Sequence, residues 1–398
     1  MLDAGVDGRP QMWGRPFSHT GNRILESLGP DFRANMSREI ILNRASEDFV
    51  NDLFGWSDLN SLLDRRSVMP AELQLSQNGE VLSRELYADA AGSLDLFRLK
   101  QEVRGGASII LDGLDRVSDR VREVTTAIMQ MTGETASCNM FVTFHSSQAF
   151  HSHFDEVDTI IVQLEGSKHW QVHGPGEPDP LPEHGDSDPR NCPEGALLDT
   201  VLKPGDVLHV PRGWWHTVRG AGDKSIHLTF AFTRKTGLDY IRWLAWKSIA
   251  DPRVRQSLDR WGSESSRQSQ TLDVLRAFSE IASKFSVDDF FEEERAAVDG
   301  WQASSFPWSV TEDGLAGSVS VRLLAVFKPV LSRNESSVFF TFAGEKVTLP
   351  LAYTPAVEFI WRNESATVTE IAEGSRMPQT AVANLVKNLE RIGLLKLS

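Results

Sequence analysis

Two histidines and one carboxylate stand in this chain at spacings that suit a divalent metal. His153 and Asp155 lie two residues apart in the run FHSHFDEVDTII, and His216 follows further along in HVPRGWWHTV. Alternate side chains of an extended strand share a face, so His153 and Asp155 point the same way. Two imidazoles and one carboxylate on a strand scaffold form the facial triad that suits Fe(II) and leaves positions open for other reactants. A lone His-x-Asp among 10 histidines and 55 acidic residues is unremarkable. Its weight comes from His216, which occupies a separate strand-like segment directly behind a Pro-Gly turn. The plain alternative is a pair of solvated residues plus a core histidine. His151 shares the face of His153 and is the lesser candidate for its place. His145, His169, His173, His184, His209 and His227 read as structural or surface histidines. Lys168 follows the Glu165-Gly166 turn and precedes His169-Trp170, which favours an inward strand position over a solvated turn lysine.

Elements must hold these groups together. From Ser137 the apolar pattern takes a period of two, with strands expected at 137–145, 157–164, 168–173, 198–202, 207–210, 216–218 and 225–233. A short extended piece over 151–154 makes eight. Eight short strands separated by turns such as Lys203-Pro204-Gly205-Asp206 argue a jelly-roll barrel. Before it the pattern is mainly helical, with strand candidates at 39–42, 72–75 and 107–111. A helix is expected after an N-cap at Ser57 or Asp58, and an amphipathic one over 117–131. After Arg234 the helical period returns in three helices, the first two separated by Pro252 and the run SESSRQSQ. A hairpin is expected over 338–349, and a helix-turn-helix cadence over 368–392 resembles a winged helix. The expected class is α+β: a double-stranded β-helix core within residues 1–236, a helical region over 237–300, and a winged-helix-like domain over 301–398.

Composition sets outer bounds. The chain has 398 residues and a formal net charge of −14, with 41 basic against 55 acidic residues. An acidic chain lacks the basic surface that a general nucleic-acid binder needs. The last 49 residues carry five basic and five acidic side chains, a neutral balance that favours protein docking or structural support. Two cysteines without CxxC spacing argue for a reducing compartment. There is no signal-peptide pattern at the start and no membrane-spanning stretch, so a cytoplasmic protein is expected. Between the third and fourth barrel strands lies GEPDPLPEHGDSDPRNCPEG. Its six acidic residues face only Arg190, which would attract a basic polypeptide if the loop edges the barrel mouth. A solvated, variable connection is the plainer view of it.

The runs HFDEVDTIIVQLEGSKHW, LKPGDVLHVPRGWWHTV and SIHLTFAF closely resemble the JmjC-type 2-oxoglutarate-dependent oxygenases, and among them the cupin-like ribosomal oxygenases. The resemblance covers roughly residues 17–398. It implies Fe(II) held by His153, Asp155 and His216, 2-oxoglutarate as co-substrate with Lys168 on its distal carboxylate, and dioxygen. It further implies a protein or peptide substrate, with ribosomal-protein His or Arg as the residue hydroxylated, and a dimer formed through the helices after the barrel. Asn139 falls where related enzymes have a polar residue near the co-substrate. Thr229, on the same strand face as Ser225 and His227, offers another hydroxyl. Phe141 departs from the pattern, standing where relatives often have a tyrosine that helps hold 2-oxoglutarate, and Thr143 is the residue to which that contact could shift. N-methyl-lysine demethylation, hydroxylation of a small peptide in a biosynthetic pathway, and a non-catalytic cupin binding module stay open.

Overall fold

Strands with alternating apolar side chains need two different surroundings, one for each face. The structure, a computed structural model, provides both. It describes residues 19–36, 38–65, 72–144, 146–176, 178–181, 188–222, 224–298, 300–301, 303–311, 314–363 and 365–398. The expected strand end at His145, and Glu177, Glu183, His184 and Asp186 of the acidic loop, lie outside the described residues. By internal contacts the chain divides into two units, Pro16–Arg234 and Lys235–Ser398.

The first unit opens with α1 (His19–Leu28), α2 (Phe32–Asn35), β1 (Ile41–Arg44), α3 (Glu47–Leu53) and α4 (Trp56–Asp64). Next come β2 (Leu73–Gln77), β3 (Glu80–Val81), α5 (Leu96–Arg104), β4 (Ser108–Leu111), α6 (Leu114–Val117) and α7 (Asp119–Thr132). Capping moves two of the expected boundaries. Helix α4 is capped by Gly55, not by Ser57 or Asp58; the Asp58 carboxylate instead reaches back to the Gly55 N–H at 3.0 Å. Ser118 accepts from Val121 N–H and starts α7, which splits the single helix expected over 117–131.

Seven strands follow: β5 (Ala136–Thr143), β6 (Asp158–Glu165), β7 (Lys168–Pro175), β8 (Leu198–Leu202), β9 (Asp206–Val210), β10 (Trp214–Gly220) and β11 (Ser225–Phe232). An eight-stranded sheet in the order β1-β9-β6-β11-β5-β4-β2-β3 packs across an apolar layer from a three-stranded sheet, β10-β7-β8. Strand β6 shows why both faces are buried. Ile160, Val162 and Leu164 join the outer core with Ile24 and Leu28 of α1 and Val121, Val124 and Ile128 of α7. Ile161 points the other way, onto Trp170, Val172 and Leu202 between the sheets. This is the expected double-stranded β-helix, widened by β1 to β4. The piece expected as an eighth strand, 151–154, is instead a single bridge between His153 and His216.

The second unit begins with α8 (Gly237–Ser248), α9 (Pro252–Arg255), α10 (Glu264–Ala282) and α11 (Val287–Ala297). Most of SESSRQSQ lies inside α10 and does not break it, because Ser263 caps the helix by accepting from Ser266 N–H at 3.2 Å. There follow β12 (Ser320–Leu323), β13 (Ser332–Arg333), β14 (Ser337–Phe342), β15 (Glu345–Pro350), α12 (Thr354–Arg362), β16 (Ser365–Thr367), α13 (Val368–Ser375), α14 (Gln379–Arg391) and β17 (Leu395–Leu397). The β14–β15 hairpin turns on Ala343 and Gly344, both at positive φ, as a two-residue primed turn requires. Val321, Phe340, Ile360, Val368, Val386 and Leu395 share one core. No helix among the described residues is long and apolar enough to cross a membrane.

Candidate metal centre

Two backbone contacts set the spacing of the triad. His216 N–H donates to His153 O at 2.8 Å, and His153 N–H returns a bond to His216 O at 3.2 Å. Gly213 N–H, from the Pro211-Arg212-Gly213 turn, donates to Asp155 O at 2.7 Å. The segment 153–155 is therefore fastened to β10 at His153 and to the turn before β10 at Asp155. A register shift between Trp215 and His216 bends β10 just where the second histidine must be aimed.

The side chains converge accordingly. His153 Nε2 lies 3.8 Å from Asp155 Oδ1, and His216 Nε2 lies 3.7 Å from Asp155 Oδ2. The three potential ligand atoms all fall within 4.8 Å of one another. Both imidazoles are oriented in the same manner: His153 Nδ1 is 2.8 Å from His151 O, and His216 Nδ1 is 3.1 Å from Trp214 O. A carbonyl can only accept, so each Nδ1 carries the proton and each Nε2 keeps its lone pair for a metal. Burial, and then the neighbouring His153, push the His216 pKa down to about 4, which keeps it neutral as a ligand must be. His151 contributes its carbonyl to the site, while its exposed ring packs against Gly79.

The triad opens on a cavity of about 820 Å³ between the two sheets. Lys168 lies inside it, only 2% exposed. The turn that starts its strand depends on Gly166, at φ 58, where a Cβ would come within 1.9 Å of Lys224 O. The Lys168 ammonium has one long contact, 3.4 Å to Phe141 O, and among the described residues no carboxylate pairs with it. Burial pulls its pKa down to about 7. Beside it His227, 4% exposed, stacks on Phe141 with ring centroids 4.9 Å apart. Its Nδ1 is buried without a hydrogen-bond partner, and so is the indole N–H of Trp170, whose ring stacks on His216 at 5.8 Å. The buried cation carries a desolvation cost that an anion in the cavity would offset. The ligand set fits Fe(II), and the donor-rich wall fits a dicarboxylate.

The remaining expected residues are sorted by the same geometry. Thr229 lines the cavity. Asn139 does not reach it: its side-chain carbonyl accepts from Gly113 N–H at 3.2 Å and holds the turn before α6. Thr143 lines the cavity, but its hydroxyl is paired with Ser108 Oγ at 3.2 Å. His169 bonds Asp199 at 2.6 Å, and His209 is a buried structural residue between Thr159 O and Met36 O. Sequence reasoning placed His227 with these bystanders, yet it belongs to the cavity wall. Alternation along SIHLTFAF, which puts it on the face of Thr229, was the available signal. Trp170 was recoverable in the same way, two residues after Lys168.

Known proteins resemble parts of this chain. A family model described as a JmjC domain matches residues 116–240. Ribosomal oxygenase 1 of Rattus norvegicus is 30% identical over 232 residues, which is 55% of this chain and 38% of that protein. The bifunctional lysine-specific demethylase and histidyl-hydroxylase NO66 of Brugia malayi is 29% identical over 143 residues, 34% of this chain and 20% of that protein. The matched region thus spans well under half the length of these relatives. Among solved structures, Escherichia coli ycfD superposes with a TM-score of 0.57 at 15% identity, covering 93% of this chain and 98% of the other. The ribosomal oxygenase YcfD in complex with cobalt and 2-oxoglutarate gives 0.52 at 13% identity, covering 90% and 95%. At such identities the likeness is one of fold.

Proposed function

We propose that this chain, whose residues 116–240 are a JmjC domain, is an Fe(II)- and 2-oxoglutarate-dependent oxygenase that hydroxylates a side chain of a protein or peptide, in the manner of a ribosomal-protein His or Arg hydroxylase. The observation that carries the reading is the convergence of His153 Nε2, the Asp155 carboxylate and His216 Nε2 beside a buried, uncompensated Lys168. The solved relative holding cobalt and 2-oxoglutarate in the same fold supports the choice of metal type and co-substrate.

His153, Asp155 and His216 would hold the iron, and Lys168 would pair with the far carboxylate of 2-oxoglutarate. When bound, these groups supply an oxidation in which dioxygen gives one oxygen atom to the succinate formed by decarboxylation and the other to a C–H bond. The chain's own part is positional. The carbonyls of His151 and Trp214 fix the imidazole tautomers, Asp155 supplies the negative charge between the rings, and Trp170 and Phe141 keep water from the inner wall. Thr229 adds a hydroxyl to that wall. The acidic loop after β7 favours a basic substrate at the mouth, although Asp179 and Asp188 are themselves paired with Arg212 and Arg190.

Other parts of the chain take supporting roles in this reading. Helices α8 and α10 leave Ile241, Trp246, Leu272 and Leu275 more than half exposed, and they form the face of a homodimer. Helices α13 and α14 with the β16-β12-β17 sheet serve as a winged helix for protein contact, and the protein works in the cytoplasm. The test is direct. Protein loaded with Fe(II) is incubated with 2-oxoglutarate and a panel of basic ribosomal peptides, and succinate and product mass are measured. Peptide-dependent succinate with gain of one oxygen atom is expected; loss of a methyl group from a methyl-lysine peptide would move the reading to demethylation. No 2-oxoglutarate binding and no succinate would sink the enzyme reading altogether.

A further inference from the structure

We infer that His227 is a co-substrate-binding residue, its imidazole hydrogen-bonding the distal carboxylate of 2-oxoglutarate alongside the Lys168 ammonium. This rests on the co-substrate assigned above and adds a residue that no motif marks. His227 lies at the centre of the large sheet, opposite Phe141 on β5 and Gln163 on β6. It is almost wholly buried and lines the cavity; Nδ1 is sealed inside the protein without a hydrogen-bond partner, which leaves Nε2 as the nitrogen that faces the cavity. A buried imidazole of this kind costs stability unless something enters the cavity to meet it.

Its neighbours say what that something is. Lys168 and His227 converge on Phe141: the ammonium is 3.4 Å from the Phe141 carbonyl and 6.0 Å from the centroid of its ring, while the imidazole stacks on that ring. On the other side the Trp170 ring meets His227 edge to face at 5.7 Å, so the imidazole plane is held by two aromatic contacts. A cation and a neutral imidazole beside each other, with the long contact to the Phe141 carbonyl and no carboxylate beside them among the described residues, are placed to share one carboxylate. The position along the strand agrees. Lys168 pairs with Gly220 and Val172 pairs with His216, an offset of four residues, roughly 13 Å along β7. A five-carbon diacid and the lysine side chain together span such a distance, which puts the far carboxylate at this end. Of the nearby groups, Phe141 has no hydroxyl, that of Thr143 is paired with Ser108, and that of Thr229 lies two residues further along β11.

His227→Phe removes the ring nitrogens while keeping a flat ring for both aromatic contacts. Manganese-loaded protein, which holds the co-substrate without turnover, is titrated calorimetrically with 2-oxoglutarate and with 2-oxopentanoate, which has the same 2-oxo acid end and no distal carboxylate. His227→Phe should weaken 2-oxoglutarate about tenfold or more, as loss of a hydrogen bond to a charged group does. It should leave 2-oxopentanoate and manganese binding within about twofold, and His227→Gln, which keeps a donor, should recover part of the loss. His227→Leu gives the same comparison if phenylalanine prevents folding. Wild-type affinity in His227→Phe, or equal weakening of both acids, overturns the inference while the oxygenase reading stands. A wild-type protein that binds manganese but no 2-oxoglutarate overturns both.

Discussion

Replacing Lys168 by methionine should make the ligand-free protein more stable and the co-substrate complex weaker. The ammonium is 2% exposed, has no carboxylate partner among the described residues, and its pKa falls from 10.5 to about 7 through burial. Because the folded-state pKa lies below the unfolded one, the unfolded chain binds the extra proton between pH about 7 and about 10.5. Stability therefore rises with pH across that window. The penalty is complete below pH about 7, where it amounts to about 5 kcal/mol at 1.36 kcal/mol per unit, and it vanishes above pH about 10.5. Methionine has no such penalty, so denaturant melts of the two ligand-free proteins should differ most at pH 6 and converge towards pH 10.

Binding should show the reverse. A dicarboxylate needs the charged lysine, so above pH about 7 the wild-type protein must take up a proton as 2-oxoglutarate binds. Affinity should then fall by about tenfold per pH unit until the bound-state pKa is reached. Titration calorimetry at pH 8.5 in two buffers of different ionisation enthalpy measures that proton. Lys168→Met should bind about tenfold to a hundredfold more weakly at pH 7 and show neither the proton nor the pH slope. A wild-type affinity that is flat from pH 6.5 to 9, or a slope that persists in Lys168→Met, would refute the placement of the co-substrate on this lysine.

Three further outcomes follow from other contacts. His216→Ala should abolish manganese binding seen by calorimetry or electron paramagnetic resonance, because two ligands do not hold a labile divalent ion in a facial site; wild-type affinity would remove the triad assignment. Arg234 Nε bonds the fully buried Asp158 carboxylate at 2.6 Å, so Arg234→Met should cost about 3–5 kcal/mol in urea unfolding by leaving a buried charge unpaired, and an unchanged midpoint would mean the pair is dispensable. Trp246, 71% exposed on α8, should be covered in a homodimer. Light scattering at micromolar concentration should report twice the chain mass, falling to the chain mass in Trp246→Glu, and a wild-type monomer would end that reading.

The parts of this site that could be read from the sequence are those governed by strand alternation. His153 and Asp155 share a face because they are two apart, and Lys168 and Trp170 share the inner face of β7 for the same reason. His216 was legible because a Pro-Gly turn precedes it. What alternation cannot supply is depth along a strand. Asn139 and Phe141 have the same parity on β5, yet Asn139 sits one pair nearer the strand's start and is spent on the Gly113 turn. Nor does a pattern show which polar side chains lack partners. His227 looked like any core histidine until its unpartnered nitrogen and its neighbours were seen together. The SESSRQSQ run misled because serine-rich composition suggests a loop, whereas Ser263 is a cap and the residues after it form a solvated helix face.

The paired bonds between His153 and His216 bear on which ion the site receives. Because peptide groups set the ligand spacing, the three donors are placed by the backbone and not by the ion. Two imidazoles and a carboxylate then follow the ordinary order of divalent affinities, in which copper, nickel and zinc all exceed ferrous iron. Occupancy becomes a matter of supply: the metal that is loosely held and abundant where the chain folds takes the site, and an excess of zinc should displace iron and silence the protein without disturbing its fold.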